Sequence, residues 1–181
     1  SDDGSLWFAG DRTGFWSLYR WRADRGVEAV VELGKDIGFP QWVFGQTCFA
    51  LLDDGRVAFV YRDGGLDRLA TWEPHFGRVT DVAVPHTTIE SLHAAGHDIV
   101  YVGASATTEP HVVRASLPVD GPPECEVLVP PRDLGLDPSW WSAPVPVEFP
   151  TAGGVTAHAL LYPPTNPDVV APAEDRPPLL V

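Results

Sequence analysis

One pattern occurs three times in this chain, and it restricts the folds open to it. With Gly4, Gly55 and His97 set in one column, the next residues are Ser5-Leu6-Trp7-Phe8-Ala9, Arg56-Val57-Ala58-Phe59-Val60 and Asp98-Ile99-Val100-Tyr101-Val102. Side chains alternate along a strand, so Leu6/Phe8, Val57/Phe59 and Ile99/Tyr101 share one face. The opposite face carries Trp7/Ala9, Ala58/Val60 and Val100/Val102, which are also apolar. A strand apolar on both faces is expected to be covered on both sides. Each copy continues with a second β-rich run, at 18–21, 69–72 and 112–115, and a third, at 27–31, 79–84 and 126–129. Within the second copy, 54–72 reads as an Asp-Gly turn, a run over 56–61, an Arg62-Asp63-Gly64-Gly65 turn and a run over 68–72. The copies begin at positions 4, 55 and 97, a spacing that suits units of four short strands. The expected fold is mainly β, with about three four-stranded antiparallel β-propeller blades, the first incomplete.

In chain order, residues 1–34 read as a blade lacking its first strand, with a turn at Asp11-Arg12-Thr13-Gly14. Residues 35–45 lead to the next blade. Their aromatics Phe39, Trp42 and Phe44 are expected to seal a seam between blades, with an exposed aromatic lining the central channel as the alternative. Residues 46–84 form the second blade, with strands over 47–52, 56–61, 68–72 and 79–84. Residues 88–129 form the third, opening with a strand over 89–94 and the turn Ala95-Gly96-His97. Pro130-Pro131 and Asp137-Pro138 break regular structure, so 130–144 reads as a linker with Trp140-Trp141 capping the propeller edge. Strand patterning restarts at 145–149, turns at Gly153-Gly154 and continues over 155–162. A polar, proline-rich loop (165–176) follows, and Leu179-Leu180-Val181 reads as the first half of a buried strand. The chain has no Met and starts within a Ser1-Asp2-Asp3-Gly4 turn, so a fragment of a longer protein is expected.

The 17 glycines and 19 prolines among 181 residues exceed the average share of about 12% and mark turns between short strands. A net charge of −13 repels phosphate backbones and anionic lipid, so nucleic acid and membrane surfaces are poor partners. The acidity is read as a means of staying in solution. No apolar run reaches the length of about 18 residues that a membrane helix needs, and no signal-peptide pattern opens the chain, so a cytoplasmic location is expected. Cys48 and Cys125 lie in different copies without CxxC spacing and read as buried or partly buried thiols.

A hydrolase nucleophile needs a sharp turn of the Gly-x-Ser-x-Gly type before a helix. The nearest stretch, Gly103-Ala104-Ser105-Ala106-Thr107, ends in Thr and precedes no helical pattern, so Ser105 is not assigned as a nucleophile. His93 and His97 are four apart but flank a β-turn, and no third ligand has suitable spacing. His75, His86, His111 and His158 read as isolated. Asp53-Asp54 and Ser1-Asp2-Asp3-Gly4 read as acidic turns bonding their own backbone, not as calcium ligands. No phosphate-binding or dinucleotide glycine pattern is present. No catalytic, metal-binding or cofactor-binding residue is assigned.

The turns Ser1-Asp2-Asp3-Gly4 and Leu52-Asp53-Asp54-Gly55, and the stretches Asp11-Arg12-Thr13-Gly14-Phe15-Trp16-Ser17-Leu18-Tyr19 and Pro40-Gln41-Trp42-Val43-Phe44-Gly45-Gln46, have the character of propeller blade turns. After the linker come Val147-Glu148-Phe149-Pro150-Thr151-Ala152-Gly153-Gly154-Val155-Thr156-Ala157-His158-Ala159-Leu160-Leu161-Tyr162-Pro163-Pro164 and then Arg176-Pro177-Pro178-Leu179-Leu180-Val181. In this order these segments resemble the prolyl oligopeptidase family of serine peptidases, in its acylaminoacyl-peptidase and dipeptidyl-peptidase branch. The resemblance implies that 1–143 is the C-terminal part of a β-propeller and 144–181 the first strands of an α/β-hydrolase domain. It implies a parent peptidase of short peptides whose Ser-His-Asp triad lies outside this chain, with the propeller screening out large substrates. No catalytic residue of the family maps onto this sequence. Some members hold the substrate amine with propeller acids or its carboxylate with a propeller arginine, and no motif assigns such a role to Arg62, Asp63 or Arg68. The implied partners are short peptides and the rest of the propeller and hydrolase domain, with no cofactor. A homo-oligomer is left open. The chain alone is expected to be inactive and to expose apolar surface. A non-catalytic propeller that binds protein or peptide, and a propeller-bearing esterase, are the alternatives.

Overall fold

In the computed structural model the repeats form separate antiparallel sheets, each in chain order. The structure describes residues 3–176 and 178–181; Ser1, Asp2 and Pro177, and with them parts of the first turn and of the closing stretch, lie outside the described residues. The first sheet holds β1 (Leu6–Gly10), β2 (Ser17–Arg22) and β3 (Gly26–Val31). The second holds β4 (Phe49–Leu51), β5 (Val57–Asp63), β6 (Leu66–Glu73) and β7 (Arg78–Val82). The third holds β8 (Thr88–Ala95), β9 (Asp98–Ser105), β10 (Thr108–Ser116) and β11 (Glu124–Val129). A two-stranded hairpin follows, β12 (Val145–Pro150) and β13 (Thr156–Leu161). Three strands and then four and four match the expected blades, the first incomplete.

The sheets stack through the two apolar faces of β5. Val57, Phe59 and Tyr61 pack with Leu18, Val31 and Ile37 from the first sheet and its connection, and Trp7 meets Trp72 edge-on at 6.0 Å. Ala58 and Val60 pack instead with Ile89, Leu92, Ile99 and Tyr101 of the third sheet. The second and third repeats thus turn the same column toward the preceding sheet. Only the middle repeat is covered on both sides: β5 is buried from Val57 to Tyr61, whereas Leu6 is 61% exposed and Val100 and Val102 are half-buried. The outer sheets each have one neighbour in this chain, which is why the expected double coverage holds for one copy of three.

Several expectations change in the structure. Trp42 (87% exposed) and Phe44 (99%) do not seal a seam, and Phe39 is half-buried. They sit on a connection outside any ladder, whereas the seam is filled by strand residues whose register aims them at the neighbouring sheet. Cys125 is exposed on β11, while Cys48 is buried. Leu179, Leu180 and Val181 form no strand and are exposed, because no strand among the described residues offers them a ladder. The 130–144 segment carries only a 3-10 turn (Pro138–Trp140), in which Asp137 accepts from the Ser139 amide at 2.8 Å. Trp140 is 44% exposed and Trp141 half-buried. Among the described residues no helix is long and apolar enough to cross a membrane.

The hairpin meets the second sheet at the β5–β6 turn. Gly64 and Gly65 take left-handed φ angles of 58° and 80° there, a conformation that side chains disfavour. Pro146 and Leu160, paired across the hairpin, close on this turn: a Cβ on Gly65 would lie 3.3 Å from Leu160 and one on Gly64 3.8 Å from Pro146.

Candidate functional site

A cavity of about 350 Å³ opens at the end of the sheets where the β5–β6 turn carries the hairpin. Its wall includes Asp36, Phe39, Arg62, Asp67, Glu90 and Ser91. Asp67, at the start of β6, is buried and accepts from the Ile89 amide at 2.9 Å and from Arg62 Nη2 at 3.2 Å. It therefore ties the second sheet to the first turn of chain in β8. Asp36 does the same toward the first sheet, accepting from the Trp16 amide at 2.9 Å while its own carbonyl accepts from the Arg62 amide at 2.8 Å. These two carboxylates hold the seams. Arg62 remains 60% exposed, and the Glu90 carboxylate, exposed on β8, makes no hydrogen bond or ion pair with the described residues.

Ser91 gives the wall its shape. Among the described residues it is the non-glycine residue with a left-handed φ (54°), at a register shift between Glu90 and His93 in the β8–β9 ladder. Such bulges bend a strand and cost local strain, and they cluster beside functional sites. The Cys48 thiol also lines the cavity, but burial pushes its pKa up to about 11, so at neutral pH it is neither thiolate nor nucleophile. The cavity wall thus combines apolar side chains with the Arg62 guanidinium, held by Asp67, and the Glu90 carboxylate.

The residues weighed from sequence fall elsewhere. Ser105 ends β9 and β10 follows at once; its Oγ accepts from the Thr107 amide at 3.3 Å. His97 lies 3.7 Å from Asp54, and His93 is exposed on β8; among the described residues no three potential ligands gather as a metal site. Asp54 accepts from the Arg56 amide at 3.0 Å, and Asp3 from the Ser5 amide at 2.9 Å, so these acidic turns do bond their own backbone. Asp63 pairs with Lys35 at 2.9 Å, and Arg68 is exposed. His75 stacks edge-on against Phe76, and His158 lies 3.2 Å from Glu148.

His86 and His111 are not isolated. Both are buried, their Nε2 atoms are 3.2 Å apart, and His86 Nδ1 lies 2.8 Å from the Tyr101 hydroxyl. They come from the β7–β8 crossover and from β10, 25 residues apart, and no spacing in the sequence announces the contact.

No family model and no curated protein matches the chain. Solved structures do. A puromycin hydrolase is 32% identical over 98% of this chain with a TM-score of 0.85. A puromycin-hydrolyzing peptidase of Mycobacterium tuberculosis is 27% identical over 96% of it, with a TM-score of 0.82. The chain spans only 27% and 26% of the length of these two proteins. Prolyl endopeptidases share the fold at a TM-score of 0.62 and 13% identity, over 87% of this chain and 22% of theirs.

Proposed function

We propose, for a chain that corresponds along nearly its whole length to a propeller segment of the prolyl oligopeptidase family, that it serves a serine peptidase of short peptides. The proposal extends to the reaction: acyl transfer through a Ser-His-Asp triad outside this chain, on substrates of the acylaminoacyl or dipeptidyl type. The β12–β13 hairpin is then the start of the α/β-hydrolase domain, with the boundary at 143/144. In this reading the blades are a filter. They would keep folded proteins from the triad and admit short peptides.

The observation that carries the proposal is the docking of the hairpin on the Gly64-Gly65 turn, at the same end of the sheets as the cavity. A hydrolase domain continued from that hairpin faces the cavity mouth, so substrate passing the blades meets Arg62 and Glu90 on its way. The similarity to two puromycin-cleaving enzymes supports amide hydrolysis of small substrates.

The test compares acyl-peptides, free-amine peptides and a folded protein as substrates of the intact protein, alongside fluorophosphonate labelling of this chain alone. Cleavage of the peptides only, with no labelled serine in the isolated chain, is the expected result. Stoichiometric labelling within this chain, or peptide binding without turnover, overturns it; the second outcome is that of a binding module.

A further inference from the structure

We propose that the His86–His111 contact is a proton-sensitive latch that holds the crossover between the second and third sheets. The crossover (83–87) passes from β7, at the outer edge of one sheet, to β8, the first strand of the next. Backbone bonds fix it on both sides: the Thr87 amide donates to the Ala104 carbonyl at 2.9 Å, and the Asp67 amide to the Thr87 carbonyl at 2.9 Å. His86 seats it over bare backbone. A Cβ on Gly103 would lie 2.7 Å from the His86 ring, so this seat exists only because position 103 is glycine.

The hydrogen bonds determine the protons. His111 Nδ1 lies 3.0 Å from the Glu109 carbonyl, which can only accept, so this nitrogen carries hydrogen. In the neutral ring, His111 Nε2 is then an acceptor, and His86 Nε2 must donate to it across 3.2 Å. His86 Nδ1 is left as the acceptor for the Tyr101 hydroxyl. Every position is satisfied with both imidazoles neutral. An added proton would place a charge on a buried imidazole, and a buried charge is costly unless a counter-charge pairs with it.

The surrounding groups offer no carboxylate bonded to either ring. On β10 the Glu109 carboxylate pairs with Arg132, and on β11 the Cys125 thiol acts on Tyr101, whose hydroxyl pKa is raised mainly by burial. The cavity beyond His86 is lined by Tyr61, Asp63, Asp67, Arg68 and Asp81. Of these, Asp63 is held by Lys35, Asp67 by Arg62 and the Ile89 amide, and Asp81 by the Tyr61 hydroxyl. Burial, and then the neighbouring His111, set the His86 pKa below its ordinary 6.5. The sign follows: the closed latch excludes the proton, the open one accepts it, and the opening equilibrium gains as pH falls below 6.5. Because Thr88 and Ile89 also line the cavity that holds Arg62 and Glu90, opening the crossover alters that wall.

Hydrogen exchange of the 84–90 backbone in the intact protein, corrected for intrinsic rates, tests the latch between pH 8 and 5. One proton taken up on opening gives a rise in local opening of up to about tenfold per pH unit below 6.5, absent from β5. The neutral variant His86→Gln is expected to flatten this profile. Should that variant fail to fold, nitrogen NMR of the wild-type imidazoles decides, with His86 neutral and protonated on Nε2 and His111 on Nδ1 at pH 7. A flat wild-type profile, a response that survives His86→Gln, or a charged imidazole at pH 7 in this pair overturns the proposal.

Discussion

Arg56 is the buried cation that joins one repeat to the next. Its guanidinium donates to the Leu117 carbonyl, 61 residues away, and to the Asp54 carboxylate at 2.8 Å. Partial burial alone would raise the Asp54 pKa, but the hydrogen bonds and charge of Arg56 outweigh it and hold the carboxyl below 3.8. The stabilisation is therefore complete above pH 3.8 and is lost as pH falls through the depressed value. Arg56→Met is expected to cost about 3 kcal/mol, since it leaves the Leu117 carbonyl and the Asp54 charge without their partner. A urea midpoint at pH 7 measures this, and the loss should shrink in acid. The turn role of Asp54 was legible because the bond is local, to a residue two positions on. Leu117, like the His86–His111 pair, was not, because a contact between distant strands leaves no local spacing.

Strands were the most legible elements. Apolar runs and Asp-Gly turns placed β5 and β6 nearly where they lie and found the centres of β9 and β10, since ladder and turn chemistry act over a few residues. The connection at Trp42 and Phe44 misled for the converse reason: a large aromatic implies burial only if something covers it, and a loop carries no register to say what. The hairpin is the element whose placement depends on a small contact, that of Pro146 and Leu160 with Gly64-Gly65. Leu160→Asp should detach it by placing a charge against that turn. The expected outcome is faster proteolytic cleavage within 144–163, with the urea midpoint of the stacked sheets moved by less than about 1 kcal/mol.

On the scale of the whole molecule, stability is unevenly distributed. The second sheet has an apolar neighbour on each face, the first and third have one, and the hairpin closes on the β5–β6 turn with no residue of its own in either buried cluster. Hydrogen exchange should follow that order, slowest in β5 and β6, faster in β1 and β11, and fastest in β12, β13 and 165–176. Equal protection of β5 and β12 would contradict this account. By itself the sequence determined the repeat, the strand order, the acidic surface and the family resemblance, because alternation, turn residues and composition act locally or in sum. Tertiary structure alone decided which faces of the repeats are covered, where the cavity opens, and which histidines meet. Those depend on how the sheets stack, and residues 25 or 61 positions apart become neighbours only once their strands share a seam.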